Sequence, residues 1–106
     1  MDDTANSGTR DSGRRYRIVL ACDGVPAPAG QQGAIDITEE FTHRPWHQNV
    51  TCTWDGQSLI LQADNDYDPD GLALMDEFSD AISACIRDLF EGQIRVVSSS
   101  SLPDPV

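Results

Sequence analysis

Residues 64–90, DNDYDPDGLALMDEFSDAISACIRDLF, join an acidic loop to the most regular apolar pattern in the chain. The apolar residues recur at steps of three and four, as they do along one face of an α-helix. These residues are Leu72, Met75, Phe78, Ile82, Cys85, Ile86 and Leu89. Asp68 suits a helix N-cap, Pro69 the first helical position and Gly92 the position after a helix. The sequence therefore predicts a long amphipathic helix that begins at Pro69 and ends before Gly92.

Alternating apolar and polar residues predict five β-strands around this helix. Four strands precede the helix and one follows it, at residues 14–22, 35–41, 50–54, 59–63 and 93–97. Apolar residues on both faces of the first segment favour an interior strand. Asp55 and Gly56 are a two-residue hairpin signal between the third and fourth strands. Residues 25–34 contain two prolines and two glycines and are predicted to form a loop.

The element order β-β-β-β-α-β favours an α+β fold. We expect a mostly antiparallel sheet of about five strands, with one long amphipathic helix packed on one face. The chain has 106 residues, which suits a single domain. That domain is predicted to occupy residues 14–97, because residues 1–13 are polar and residues 98–106 are a serine run followed by LPDPV. Both end segments are expected to be disordered tails.

The charge of the chain limits the partners to expect. It carries 18 acidic and 7 basic residues, a net charge of −11. Nucleic acids and anionic membrane surfaces are bound through clusters of basic residues, so both are disfavoured as direct partners. The acidity favours a protein partner with a basic face, and adaptation to high salt is the alternative explanation.

The sequence favours a cytoplasmic location. No segment resembles a signal peptide, and no apolar run is long enough to span a membrane. Cys22, Cys52 and Cys85 are odd in number and lie in apolar patterns, as expected of reduced, buried thiols.

One motif in the acidic loop matches a metal-binding pattern. Residues 66–77 fit the spacing D-x-[DN]-x-[DN]-G-x5-E, and in these twelve residues the chain resembles the calcium loop of the EF-hand family. Alternating carboxylates, a backbone carbonyl and a glutamate that binds through two oxygens are the ligands of such a loop. The resemblance implies a calcium site formed by Asp66, Asp68, Asp70, Leu72 and Glu77. A strand is predicted where that family has an entering helix, so only the loop pattern is shared. The alternative is an acidic helix cap, in which Asp68 caps the helix and Leu72 belongs to its apolar face.

A second group of candidate ligands is weaker. His43, His47 and Cys52 do not complete a four-ligand zinc set. We interpret both histidines as turn residues, with Trp46 closing the end of the sheet.

No motif indicates catalysis. The chain has no nucleophile motif, no phosphate-binding glycine loop and no paired-cysteine motif, so an enzyme is not expected. We expect a small acidic, non-catalytic protein-binding or adaptor module, such as an inhibitor or immunity-type protein that faces a basic partner. The residues expected to meet that partner are Asp64, Asp66, Asp76, Glu77 and Asp80. The alternative function is a calcium-binding domain with a single EF-hand-like loop at residues 66–77.

Overall fold

The computed structural model describes residues 15–86 and 92–102, and the fold is α+β. In chain order the elements are β1 (Arg15–Asp23), α1 (Ala27–Glu40), a 3-10 turn (Phe41–His43), β2 (Gln48–Trp54), β3 (Ser58–Asn65), α2 (Leu72–Cys85) and β4 (Gln93–Leu102). The predicted α+β class is confirmed. The described residues form a four-stranded sheet and two helices, instead of five strands and one helix.

The sheet has the strand order β2-β3-β1-β4, and every neighbouring pair of strands is antiparallel. β1 lies between β3 and β4, in the interior position that its two apolar faces predict. Each β-α-β connection skips one strand, because β3 lies between β1 and β2, and β1 lies between β3 and β4. This element order and strand order are those of the split β-α-β topology.

Both helices pack on the same face of the sheet. Alternate residues of β1 and β3 belong to one apolar cluster, which also contains the buried residues of α1, the 3-10 turn and α2. Among the described residues, Phe41 and Phe78 are the largest fully buried side chains, and both lie in this cluster beside residues such as Ile18 and Leu61. Burying one large apolar side chain contributes about 1.5–3 kcal/mol, so the cluster is what holds the helices on the sheet.

α1 occupies most of the residues that the sequence predicts to be a loop (25–34) and a strand (35–41), and both predictions are wrong. α1 follows Pro26 and has a second proline in its first turn, where proline removes no helical hydrogen bond. Its buried residues are Gly30, Gly33, Ala34 and Ile37. A Cβ atom on Gly30 would lie 2.2 Å from the Trp54 indole. α1 therefore lies close to β2 through small residues, which a pattern of large apolar side chains does not reveal.

The start of α2 also differs from the prediction. The helix begins at Leu72 instead of Pro69, after Gly71 adopts a left-handed backbone with φ 78° that favours glycine. This start sets the buried face, because Leu74 is fully buried whereas Leu72 is 61% exposed. The predicted apolar face is therefore wrong at Leu72. The predicted core residue Leu89 and the rest of residues 87–91 lie outside the described part of the chain.

β4 continues to Leu102, past the end predicted at Val97, so the first part of the predicted C-terminal tail is a strand. The predicted N-terminal tail, residues 1–13, lies outside the described residues, as do residues 103–106. Cys22, Cys52 and Cys85 are free thiols, and the first two are buried. Neither of the described helices has the length and apolar character needed to cross a membrane.

Candidate functional site

His47 immediately precedes β2, and its side chain is fully buried. Its Nε2 atom lies 3.2 Å from Oε1 of Glu77, and its Nδ1 atom lies 3.3 Å from the side-chain nitrogen of Asn65. The side-chain oxygen of Asn65 accepts two backbone amides, from Tyr67 and Asp68. This fixes the amide so that its NH2 group donates to His47. Nδ1 is therefore the acceptor, and the Nε2–H group donates to Glu77.

Glu77 projects from α2, and its carboxylate accepts hydrogen bonds from three side chains and forms an ion pair with a fourth. Oε1 accepts from His47 and forms an ion pair with Arg44, whose Nε atom lies 3.2 Å away. Oε2 accepts from the indole N–H of Trp46 at 3.4 Å and from the hydroxyl of Tyr67 at 3.3 Å. One carboxylate thus joins α2 to the turn before β2 and to the loop after β3.

Trp46, His47, Tyr67 and Glu77 together are called the aromatic site below. The centroid of the His47 ring lies 6.0 Å from that of Trp46 and 5.9 Å from that of Tyr67. Trp46 nevertheless remains 50% exposed and Tyr67 47% exposed. Burial, together with the charge of Glu77, raises the pKa of Tyr67 to about 12, so its hydroxyl stays a neutral donor at physiological pH. The aromatic site therefore presents two large rings to solvent in a fixed arrangement.

An open groove of about 240 Å³ lies beside the aromatic site. Phe41, Pro45 and Val50 supply apolar parts of its lining, and Arg44 and His47 form part of its wall. The guanidinium of Arg44 is held over the Phe41 ring, 5.0 Å from its centroid. Because the groove is open to solvent, it suits a side chain projecting from a partner better than an enclosed small molecule.

Asp68 organises the start of α2. It is 7% exposed, and its carboxylate accepts the backbone amides of Ala73 at 3.2 Å and Leu74 at 2.9 Å. These amides belong to the first turn of the helix, where no carbonyl within the helix is available to them. Asp68 is thus a helix cap, but for a helix that begins at Leu72 and not at Pro69.

The residues predicted to bind calcium are not brought together as a set of ligands. Asp66 and Asp70 are exposed, and Leu72 begins α2 instead of lying in a loop. The carboxylate of Asp68 caps α2, and that of Glu77 is bonded within the aromatic site. Within residues 15–86 and 92–102, no group of three or more His, Cys, Asp or Glu side chains is placed to hold a metal ion. Calcium binding at residues 66–77 stays a prediction that this geometry does not support.

The acidic residues predicted to meet a partner divide into two groups. Asp64 is fully buried and accepts hydrogen bonds from Arg17 at 2.9 and 3.0 Å and from Asn49 at 2.9 Å. Burial opposes ionisation of this carboxyl, but the hydrogen bonds from Arg17 and Asn49 and the charge of Arg17 outweigh it and lower the pKa of Asp64. Asp64 is therefore engaged within the fold. The remaining residues are at the surface: Asp66, Asp76 and Asp80 are exposed, and Glu77 is partly exposed.

The sequence pattern identifies Glu77 as a candidate and places Trp46 and His47 in a turn, but it does not bring them together. His47 and Glu77 are 30 residues apart, and no local motif marks Asn65 or Tyr67 as their neighbours. Only the packing of α2 against the turn creates the site. Comparison with protein-family models, curated proteins and solved structures finds no match to this chain. Function is therefore inferred from the aromatic site itself.

Proposed function

We propose that this chain is a small non-catalytic protein-binding module, which uses the aromatic site to contact a partner with a basic face. The observation that carries the proposal is the half-exposed pair Trp46 and Tyr67, whose polar groups both donate to Oε2 of Glu77. Tryptophan and tyrosine are enriched among the residues that dominate the energetics of protein interfaces. Two exposed aromatic rings at one point of the surface therefore favour a protein-binding surface over a surface that contacts only solvent.

The rings are held in place without a partner. The indole N–H of Trp46 and the hydroxyl of Tyr67 donate to the same carboxylate oxygen, and His47 packs beside both rings. Immobilising a free side chain at an interface costs about 0.5–1.5 kcal/mol. Part of this cost is already met within the fold, so a partner would bind these rings with a smaller entropic loss.

Exposed carboxylates adjoin the aromatic site, and they are the reason for proposing a partner with a basic face. Asp66 precedes Tyr67 in sequence, Asp76 precedes Glu77, and Asp80 lies about one helical turn beyond Glu77. The chain as a whole has a net charge of −11. Complementary charge accelerates association and selects partners more than it strengthens binding. An inhibitor or immunity-type protein that covers the basic surface of a nucleic-acid-binding enzyme is one concrete version of this function.

The way His47 is held supports binding and not catalysis. A general acid or base must reach the proton that it transfers. Both ring nitrogens of His47 are hydrogen-bonded within the fold, and its side chain is fully buried. The raised pKa of Tyr67 disfavours its use as a base near neutral pH.

Affinity capture with matched variants tests this function. The wild-type chain and the variants Trp46→Ala and Tyr67→Ala would capture proteins from a lysate of the source cells, with quantification by mass spectrometry. Ile35→Ala is the control, because Ile35 is 57% exposed on α1 and lies outside the aromatic site. We expect a basic protein that the wild type and the control retain equally. Each aromatic variant should weaken its binding by about 30-fold, the value for loss of a 2 kcal/mol hot spot.

Circular dichroism would first establish that all four chains are folded. Equal capture by the wild type and both aromatic variants would contradict the role of the aromatic site. Capture through the aromatic site of a partner with an acidic contact face would contradict the assignment of a basic partner.

A further inference from the structure

The groove of about 240 Å³ beside the aromatic site is called the apolar groove below. Its walls come from the end of α1, the 3-10 turn, the turn before β2 and β2 itself. Phe41 is buried and Val50 is half-buried, whereas Pro45 is exposed. The groove therefore offers apolar surface that is held by helix, turn and strand and is open to another molecule.

Arg44 is the only arginine, lysine or acidic residue in the described lining of the apolar groove. Its Nε atom lies 3.2 Å from Oε1 of Glu77, and its Nη1 atom lies 3.5 Å from Oε2 of Glu40. Its guanidinium also lies over the Phe41 ring. An acidic side chain in the groove would have to compete with two carboxylates that already pair with Arg44. The lining therefore favours an uncharged, apolar occupant.

A second and wider groove, of about 500 Å³, adjoins the apolar groove, and Thr42 lines both. It is called the acidic groove, because Asp36, Glu39 and Glu40 of α1 contribute to its lining. Carboxylates three and four positions apart lie on one side of a helix and repel each other. These three also lie near the negative end of the helix dipole, and the last turn of α1 contains no basic residue. The acidic groove is thus complementary to a cation.

We propose that the apolar groove receives an aliphatic side chain of the partner, and that an arginine or lysine beside it in the partner's chain reaches the acidic groove. The inference rests on the proposed function and specifies the segment of the partner that makes contact. Because Thr42 lines both grooves, the two occupants are close enough to come from neighbouring positions of one segment. Trp46 follows Pro45 in sequence, so the same segment also meets the aromatic site.

NMR titration of the isotope-labelled chain with three synthetic peptides tests the proposal. Each peptide is acetylated and amidated at its ends. Arg-Arg-Leu-Arg-Arg has both features, Arg-Arg-Ser-Arg-Arg lacks the aliphatic side chain, and Glu-Glu-Leu-Glu-Glu has the opposite charge. We expect the first peptide to cause saturable shifts of the Thr38, Thr42 and Val50 amides. The serine peptide should bind at least about tenfold more weakly, because it buries no aliphatic side chain, and the acidic peptide should cause no saturable shift.

Two pairs of variants locate the contacts. Thr42→Phe fills the junction of the grooves from an exposed position and should weaken binding of the leucine peptide by about tenfold. Thr53→Phe makes the same substitution at an exposed position of β2 and should leave binding unchanged. Glu39→Gln should weaken binding by about threefold, whereas Asp70→Asn, which removes an exposed charge outside both grooves, should have no effect. The amide spectrum of each variant shows whether it is folded.

Equal binding of the leucine peptide by the wild type and Thr42→Phe overturns the proposal, as does equal binding of the leucine and serine peptides. Equal effects of Glu39→Gln and Asp70→Asn overturn the assignment of the basic side chain to the acidic groove. Absence of any saturable shift up to about 10 mM leucine peptide also overturns the proposal.

The same spectra distinguish failure of this inference from failure of the proposed function. Saturable shifts confined to Trp46 and Tyr67 overturn the role of the grooves and leave the aromatic site as the contact surface. The affinity capture with Trp46→Ala and Tyr67→Ala tests the aromatic site without reference to either groove.

Discussion

Glutamine at position 77 would keep the size of the Glu77 side chain and remove its charge. The present carboxylate accepts hydrogen bonds from Trp46, His47 and Tyr67 and pairs with the charge of Arg44, at distances of 3.2–3.4 Å. A glutamine has one acceptor oxygen, one NH2 donor group and no charge, so at least one of the three hydrogen-bond donors would lose its acceptor and Arg44 would lose its ion-pair partner.

The size of the effect follows from these contacts. A hydrogen bond contributes about 0.5–1.5 kcal/mol net, and about 1.5–3 kcal/mol when one partner is charged. The distances are long and the Glu77 side chain is 21% exposed, so values near the lower ends apply. We therefore expect Glu77→Gln to lower the free energy of unfolding by about 2 kcal/mol, which corresponds to a fall in Tm of about 10 °C for a domain of this size.

Urea denaturation followed by far-UV circular dichroism measures this change. The midpoint should fall while the slope stays constant, because the amount of surface exposed on unfolding is unchanged. Asp76→Asn is the matched control: it removes the same charge from the neighbouring, exposed position of α2 and should change the stability by less than about 0.5 kcal/mol. If both variants shift the midpoint equally, Glu77 does not hold the aromatic site together.

Three further outcomes follow from the packing and the titrating groups. Gly30→Ala should lower the free energy of unfolding by about 1–3 kcal/mol, because its Cβ atom would lie 2.2 Å from the Trp54 indole. If α1 does not pack against Trp54, urea denaturation will show no loss of stability. The lowered pKa of Asp64 gives stability that is present above its ordinary pKa of 3.8 and is lost as the pH falls through the lower folded value. Asp64→Asn should therefore flatten the acid limb of the curve of stability against pH. An unchanged acid limb would exclude this role of Asp64. Burial raises the pKa of the Cys52 thiol to about 12, so iodoacetamide at pH 8 should modify the half-buried Cys85 before Cys52. Mass spectrometry that showed the reverse order of modification would contradict the burial of Cys52.

Large apolar residues at regular spacing made much of this fold predictable. β1, β2 and β3 lie where alternation places them, and the Asp55-Gly56 signal does connect β2 to β3. α2 was predictable for the same reason, but its exact start was not. Leu72 and Leu74 are both followed by apolar residues at helical steps, and the left-handed backbone of Gly71 decides that Leu74 is the buried one.

α1 was not predicted from the sequence, because its buried face consists mainly of small residues. The buried residues that follow helical spacing are Gly30, Gly33, Ala34, Ile37 and Phe41. Only Ile37 and Phe41 are large apolar residues, and two such residues do not define a helical pattern. The tertiary structure supplies the reason for the glycines, since Trp54 fills the space that a side chain at Gly30 would need. Helix propensity alone would disfavour these glycines, and close packing overrides it.

The aromatic site was only partly predictable. The spacing of the calcium motif identified Glu77 as a candidate. Its observed partners include Arg44 and His47, and within the described residues no set of three or more His, Cys, Asp or Glu side chains is placed to hold a metal ion. The contact between His47 and Glu77 joins residues 30 apart in sequence, and it depends on how α2 packs against the turn before β2. A single sequence contains no signal for that contact, because neither residue lies in a motif that names the other.

The most direct test of the binding surface is the affinity of the captured basic partner, measured by isothermal titration calorimetry for the wild type, Trp46→Ala and the Ile35→Ala control. If the aromatic site is the contact surface, Trp46→Ala will weaken the dissociation constant by about 30-fold and Ile35→Ala will leave it unchanged. Equal affinities for all three chains would contradict the account, because the half-exposed Trp46 ring would then contribute nothing to recognition.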